Sequence, residues 1–150
     1  MRLVLASAML LLATGAAANP DDDAPASGQT SAVTAESRFN DGQALARRND
    51  WAGAELAYRD ATRLRPTFPE AWNGLGYSLR KQRKLDESVT AYREALRLRP
   101  QYPQALEYLG HAYVQLGKID EAKAVLARLR RLDPREADEL AQAIAHAAKR

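Results

Sequence analysis

Residues 69–102 read PEAWNGLGYSLRKQRKLDESVTAYREALRLRPQY, and the spacing of their apolar side chains decides the fold. Trp72, Leu75 and Leu79 fall three and four apart, as do Leu85, Val89, Tyr92 and Leu96, which is the pattern of one buried face on each of two α-helices. Two helices of about three turns each fit the stretch, with Arg83-Lys84 where the chain must reverse. Asp86 and Glu87 suit the positive end of the second helix's dipole. Arg99-Pro100 ends it, because proline disfavours helix in the residue before it.

The same unit recurs on either side. Gly42, Gly76 and Gly110 are spaced by 34 residues, and so are Pro66, Pro100 and Pro134. That register also aligns Leu45, Leu79 and Tyr113; Trp51, Leu85 and Ile119; Ala54, Ser88 and Ala122; and Tyr58, Tyr92 and Leu126. Glycine and alanine stand where two helices approach too closely for larger side chains, and the aromatic and leucine positions fill the space around them. The turns fall at Asn49-Asp50, Arg83-Lys84 and Gly117-Lys118. Asn49 and Gly117 tolerate the left-handed conformation that ends a helix, whereas Arg83 costs about 1 kcal/mol there. Such a unit leaves one apolar face uncovered, so units stack. The expected fold is all-α, an α-α superhelix of three helix-turn-helix repeats at 35–68, 69–102 and 103–136, closed by a C-terminal capping helix at 137–150. Asp133 and Pro134 suit the N-cap and first position of that closing helix. Ile144 occupies its glycine position and leaves no room for a close partner, so the segment reads as a cap, with a dimerising helix as the alternative. A monomer is expected.

Composition fits a folded domain: 46% apolar and 27% charged, over 150 residues. The absence of cysteine excludes disulfides, thiolate metal sites and a thiol nucleophile. Met1-Arg2, the apolar stretch Leu3 to Leu12 and the small residues Ala16-Ala17-Ala18 read as a signal peptide over 1–18, too short in its apolar run to span a membrane. Residues 19–34 hold Asp, Ala, Pro, Ser, Gly and Thr with almost no large apolar residue, the composition of a disordered linker. Export across the inner membrane, to a bacterial periplasm, is the localisation this implies. The net charge of +3 gives a basic balance, but an exported protein rarely meets nucleic acid, so none is expected as a partner.

The middle unit carries Trp72, Leu75, Gly76, Leu79, Ser88, Tyr92, Ala95 and Pro100, and the third carries Leu106, Leu109, Gly110, Tyr113, Gly117, Ala122 and Pro134. In these residues the chain resembles the tetratricopeptide repeat family over about residues 35 to 136. The first unit matches less well, since Arg38 and Asp41 stand where the family prefers large apolar residues. The resemblance implies a concave groove lined by the first helix of each unit. Carried over position by position, it assigns Asn40, Gln43 and Arg47, then Asn73, Tyr77, Arg80 and Lys81, then Glu107, Tyr108, His111 and Gln115 as partner-binding residues, with Phe39 among them. The aromatics suit apolar side chains of an extended peptide, or else packing between neighbouring first helices, and the amides suit its backbone. Gly74 reads as a hole beside Tyr77. Some family members clamp a C-terminal carboxylate with Lys, Asn and Arg. Here Phe39, Gly74, Gln104 and Tyr108 stand at four of those positions, which argues against such a clamp.

Catalytic chemistry has little to build on, with His111 and His146 the only histidines and no phosphate loop. Glu107 and His111 lie four apart on one helix but lack further ligands, so neither a metal nor any other cofactor is expected. Arg63, Arg97 and Arg131 recur at 34, with Arg65 and Arg99 two residues beyond the first two. Each suits a helix C-terminus, and together they form a candidate basic docking edge for an acidic partner. The function expected from all this is a non-enzymatic scaffold that binds a partner peptide or protein in the groove, within the cell envelope. A periplasmic carrier of a small ligand or metal, or a minor enzyme, is the competing class.

Overall fold

The computed structural model describes residues 32–149; the leader and most of the linker lie outside them. Seven helices run in order: α1 (Ala35–Arg47), α2 (Trp51–Leu64), α3 (Pro69–Lys81), α4 (Leu85–Leu98), α5 (Pro103–Gln115), α6 (Ile119–Leu129) and α7 (Pro134–Ala147). Each packs on its neighbours in the chain, the first helices α1, α3 and α5 also touch in succession, and α7 packs on both α5 and α6. This is an all-α superhelix of three helical pairs and a closing helix.

Local chemistry sets the boundaries. Thr34 and Ser37 form a reciprocal capping box at the start of α1, with both bonds at 3.0 Å. Asp50 caps α2 by accepting from the Gly53 N–H at 2.9 Å. Helices α3, α5 and α7 each begin with proline, whose missing N–H costs nothing there. Asp133 accepts from the N–H groups of Arg135 and Glu136, so the closing helix begins at Pro134, ahead of residue 137. The three turns share one geometry: Asn49, Arg83 and Gly117 all lie at positive φ, 59°, 66° and 73°. Arg83 therefore adopts the left-handed conformation that its neighbours' residue types favour and its own does not.

Packing follows the register. A β-carbon at Gly42 would meet the Tyr58 ring at 2.7 Å, and one at Gly76 would meet Tyr92 at the same distance. At Gly110 it would run into Leu140 of α7 rather than Leu126 of its own unit, so the closing helix enters the place a tyrosine takes in the other units. Ala54, Ser88 and Ala122 are fully buried, and the Ser88 hydroxyl is answered by donating to the Gly76 carbonyl at 2.8 Å.

The irregular first unit has a physical reason. Trp72 and Leu75 of α3 pack in a cluster with Ala54 and Tyr58 of α2, the unit before. Arg38 and Asp41 occupy the same repeat positions on α1, which is the first helix among the described residues. They lie 3.5 Å apart, and Arg38 also reaches Asp60 at 3.7 Å, so this end of the stack presents charge where the inner units present hydrocarbon. Glu55 on α2 is a further departure. It is buried where the next unit has Val89, and it meets Gln82 at 2.7 Å, Lys84 at 2.8 Å and Arg59 at 3.0 Å. Burial pushes its carboxyl up, but the bonds from Lys84 and Gln82 and the charge of Arg59 outweigh it and hold the group below the usual carboxylate range.

Candidate functional site

The first helices, Tyr58 of α2 and Tyr102 ahead of α5 surround a cavity of about 290 Å³ lined by Phe39, Gln43, Tyr58, Glu70, Asn73, Gly74, Tyr77, Tyr102, Gln104 and Tyr108. Five of the assigned groove residues, Phe39, Gln43, Asn73, Tyr77 and Tyr108, fall in this lining. Asn40, Arg47, Arg80, Lys81, Glu107, His111 and Gln115 lie on the same helices but do not line it.

Aromatic rings build most of the walls. Phe39 sits 5.7 Å from Tyr58 and 4.9 Å from Phe68, and Tyr77 sits 5.1 Å from Tyr108 and 5.6 Å from Trp51, centroid to centroid. Packing between neighbouring helices and exposure to the cavity are thus not alternatives, because Tyr77 and Tyr108 do both. Gly74 is not a hole: a β-carbon there would meet the Tyr58 ring at 2.6 Å, so that ring fills the space the glycine leaves. Glu70, Gly74 and Gln104 complete the lining from the first helices, whereas Tyr58 and Tyr102 join it from outside them. Tyr102 has a signal in the sequence, since Phe68-Pro69 and Tyr102-Pro103 recur at 34.

Burial pushes the hydroxyls of this wall up: Tyr58 to about 12, against the nearby Arg47; Tyr102 with help from the Glu70 charge; and Tyr108 against a bond from Gln104. Asn73 is only 6% exposed. Its Nδ2 donates to Gln104 Oε1 at 3.1 Å, the Gln104 Nε2 donates onward to the Tyr108 hydroxyl at 3.4 Å, and the Asn73 Oδ1 has no partner.

Beside the cavity, the Arg80 guanidinium lies 5.3 Å from the Tyr77 ring centre and 5.7 Å from that of Tyr108, and Lys81 lies 5.1 Å from that of Trp51. His111 Nε2 is 3.6 Å from Glu107 Oε1. Burial lowers the His111 pKa, as does Arg80, and burial raises that of Glu107, as do the carboxylates of Glu136 and Glu139. Both shifts favour the neutral forms, which makes this a weak ion pair. Among the described residues no group of three or more His, Asp or Glu is placed to hold a metal ion, and no helix is long and apolar enough to cross a membrane.

The arginines of the candidate docking edge are largely compensated. Arg65 pairs with Glu36 and Arg99 with Glu70, and the two pairs are related by the 34-residue register. Arg63 meets Asp60 at 2.8 Å, Arg97 meets Glu94 at 2.9 Å, and Arg131 donates to the Ala127 carbonyl at 3.4 Å. The repulsion expected of stacked like charges is relieved by carboxylates that the sequence pattern interleaves at fixed offsets. In the third unit Asp133 replaces the arginine and Gln104 replaces the glutamate, which frees Gln104 to hold Asn73.

Stacked helical pairs with a groove along their first helices define an α-α solenoid of short repeats. Residues 76–117 match a family model described as TPR repeat and residues 104–136 one described as tetratricopeptide repeat, so the chain carries tetratricopeptide repeats over residues 76–136. Neither match reaches the first unit, where Arg38 and Asp41 depart from the pattern. Among similar solved structures are the first TPR of Spaghetti (RPAP3) bound to the HSP90 peptide SRMEEVD, at 21% identity, TM-score 0.73, covering 78% of this chain and 94% of that one. The TPR2B domain of yeast Sti1 in a pHsp70 complex matches at 20% identity and TM-score 0.72, over 77% and 96%. The Arabidopsis OM64 TPR domain matches at 16% and 0.72, over 75% and 95%. These likenesses establish a shared fold. No curated protein gives a match.

Proposed function

We propose that the chain is a non-enzymatic interaction protein that receives an extended segment of another protein in its concave groove, and that it does so as a monomer in the cell envelope after export. The observation that carries the reading is the open cavity on the first helices, where aromatic faces lie beside a buried amide with an unanswered acceptor. The peptide-bound state of the RPAP3 repeat domain, on a similar fold, supports a segment as the occupant. The envelope setting rests on the basic start, apolar run and small residues of 1–18.

Double replacement Tyr77→Ala/Tyr108→Ala tests the groove. Capture of the partner from envelope fractions should be lost while helicity stays near that of the parent. Retained capture would place binding elsewhere, and lost helicity would return both rings to the core. N-terminal sequencing of the chain recovered from envelope fractions should begin at Asn19; an intact Met1 there would reject cleavage, and recovery of the chain from the cytosol alone would reject the export step.

A further inference from the structure

We propose that the cavity is a seat for a basic side chain, an arginine or lysine of the bound segment. The inference rests on the groove reading above and specifies what the groove recognises. Among the described residues, Glu70, paired with Arg99, is the only charged one in the lining, and no lysine or arginine joins it. The unmet demand there is for a donor. Asn73 has committed its Nδ2 to Gln104, and its Oδ1 is buried without a partner; a buried acceptor left unpaired is costly, and only an N–H or O–H answers it. Lysine and arginine side chains carry donors and no acceptors. A carboxylate would set acceptor against acceptor, and a hydrocarbon would leave Oδ1 as it is.

The walls suit a cation as well, since aromatic faces attract one when it lies within about 6 Å of the ring centre. This chain already uses the pairing around the groove: Arg65 lies 3.7 Å from the Phe68 centre, Arg99 4.8 Å from that of Tyr102, and Arg80 5.3 Å from that of Tyr77. At about 290 Å³ the cavity lies at the foot of the range for small-molecule sites, roughly 300–1,000 Å³, which fits one side chain better than a cofactor.

The test is an NMR titration of the isotope-labelled mature chain with four acetylated, amidated pentapeptides, Ala-Ala-Xaa-Ala-Ala with Xaa arginine, lysine, leucine or glutamate. The arginine and lysine peptides should move the Asn73 side-chain amide and the Gly74 N–H saturably, and bind about tenfold or more tighter than the other two. Asn73→Leu should weaken the arginine peptide about tenfold, whereas Asn73→Asp, which keeps an acceptor, should not. If Asn73→Leu does not fold, the panel on the parent chain and Asn73→Asp decide. Leucine binding as tightly as arginine would overturn the proposal in favour of an apolar pocket, and tighter glutamate binding would overturn it in favour of an acidic segment. Absence of saturation with every peptide would also overturn it, while partner capture through Tyr77 and Tyr108 would still judge the groove itself.

Discussion

Adding one methyl group at Gly76 measures how closely the helices of the middle unit approach. A β-carbon there would lie 2.7 Å from Cδ1 and Cε1 of Tyr92 and 3.0 Å from its Cγ, against about 3.5–4.0 Å for carbon pairs at their optimum. The ring or the helix must therefore give way by about 1 Å. Tyr92 is 0% exposed and its ring centre lies 6.1 Å from that of Tyr108, so retreat disturbs the next unit too. Overpacking of this kind costs about 1–3 kcal/mol, and alanine's better helix propensity returns about 1 kcal/mol. The net expected for Gly76→Ala is a loss of up to about 2 kcal/mol, or up to roughly 10 °C in midpoint. Tyr92→Leu alone opens a cavity and costs about 2–4 kcal/mol. In that background the methyl group has room, so the pair should couple by about 1–2 kcal/mol in the favourable direction. Urea denaturation of the parent, both single variants and the double, monitored by circular dichroism, closes the cycle. If the two effects add within about 0.5 kcal/mol, or if Gly76→Ala stabilises, the close-approach argument fails.

Arg83 at φ 66° is the strained member of the three turns; Arg83→Asn, copying Asn49, should raise stability by about 0.5–1 kcal/mol, and an unchanged urea midpoint would reject the strain. Glu55 has a lowered folded pKa, so its stabilisation is complete above the unfolded carboxyl value and is lost as pH falls through the folded one. Glu55→Val, copying Val89, leaves Lys84, Arg59 and Gln82 without their partner and should destabilise at neutral pH, by less than the about 3–5 kcal/mol of a fully buried pair because Lys84 and Arg59 stay half exposed. It should also flatten the acid limb of a stability profile; an unchanged acid limb would remove Glu55 from that role. Glu107 has the opposite sign, raised by burial and by Glu136 and Glu139, so its ionisation weakens the fold as pH rises through the folded value. Glu107→Gln should then stabilise at neutral pH and not below the unfolded carboxyl range; equal midpoints at neutral pH would contradict this.

The repeat was legible because its signals are local and recur: breakers, small residues and apolar faces each return after 34 positions. Contacts between units were harder to read. Tyr58 aligns with Tyr92 as a ring against its own unit's glycine, and nothing in that alignment shows that it also covers Gly74 one unit on. Asn73 belongs to the groove by its repeat position, but its burial depends on Gln104, a residue 31 positions away. The Glu36–Arg65 and Glu70–Arg99 pairs did leave a trace, the same 29-residue offset twice, which a reading of like charges alone passes over. Arg38 and Asp41 have the look of decay in the pattern and instead pair with each other, with Asp60 beside them.

Tyr58 touches both the glycine of its own unit and Gly74 of the next, and it also forms part of the cavity wall. The joint between the first two units and the floor of the groove are therefore one ring. At the second joint Tyr108 stands where Gly74 stands in the first, so Tyr92 meets another ring there rather than bare backbone. What fills each joint thus differs from unit to unit with the size of a single side chain. Replacing the Tyr58 ring would therefore alter a joint and the groove wall together.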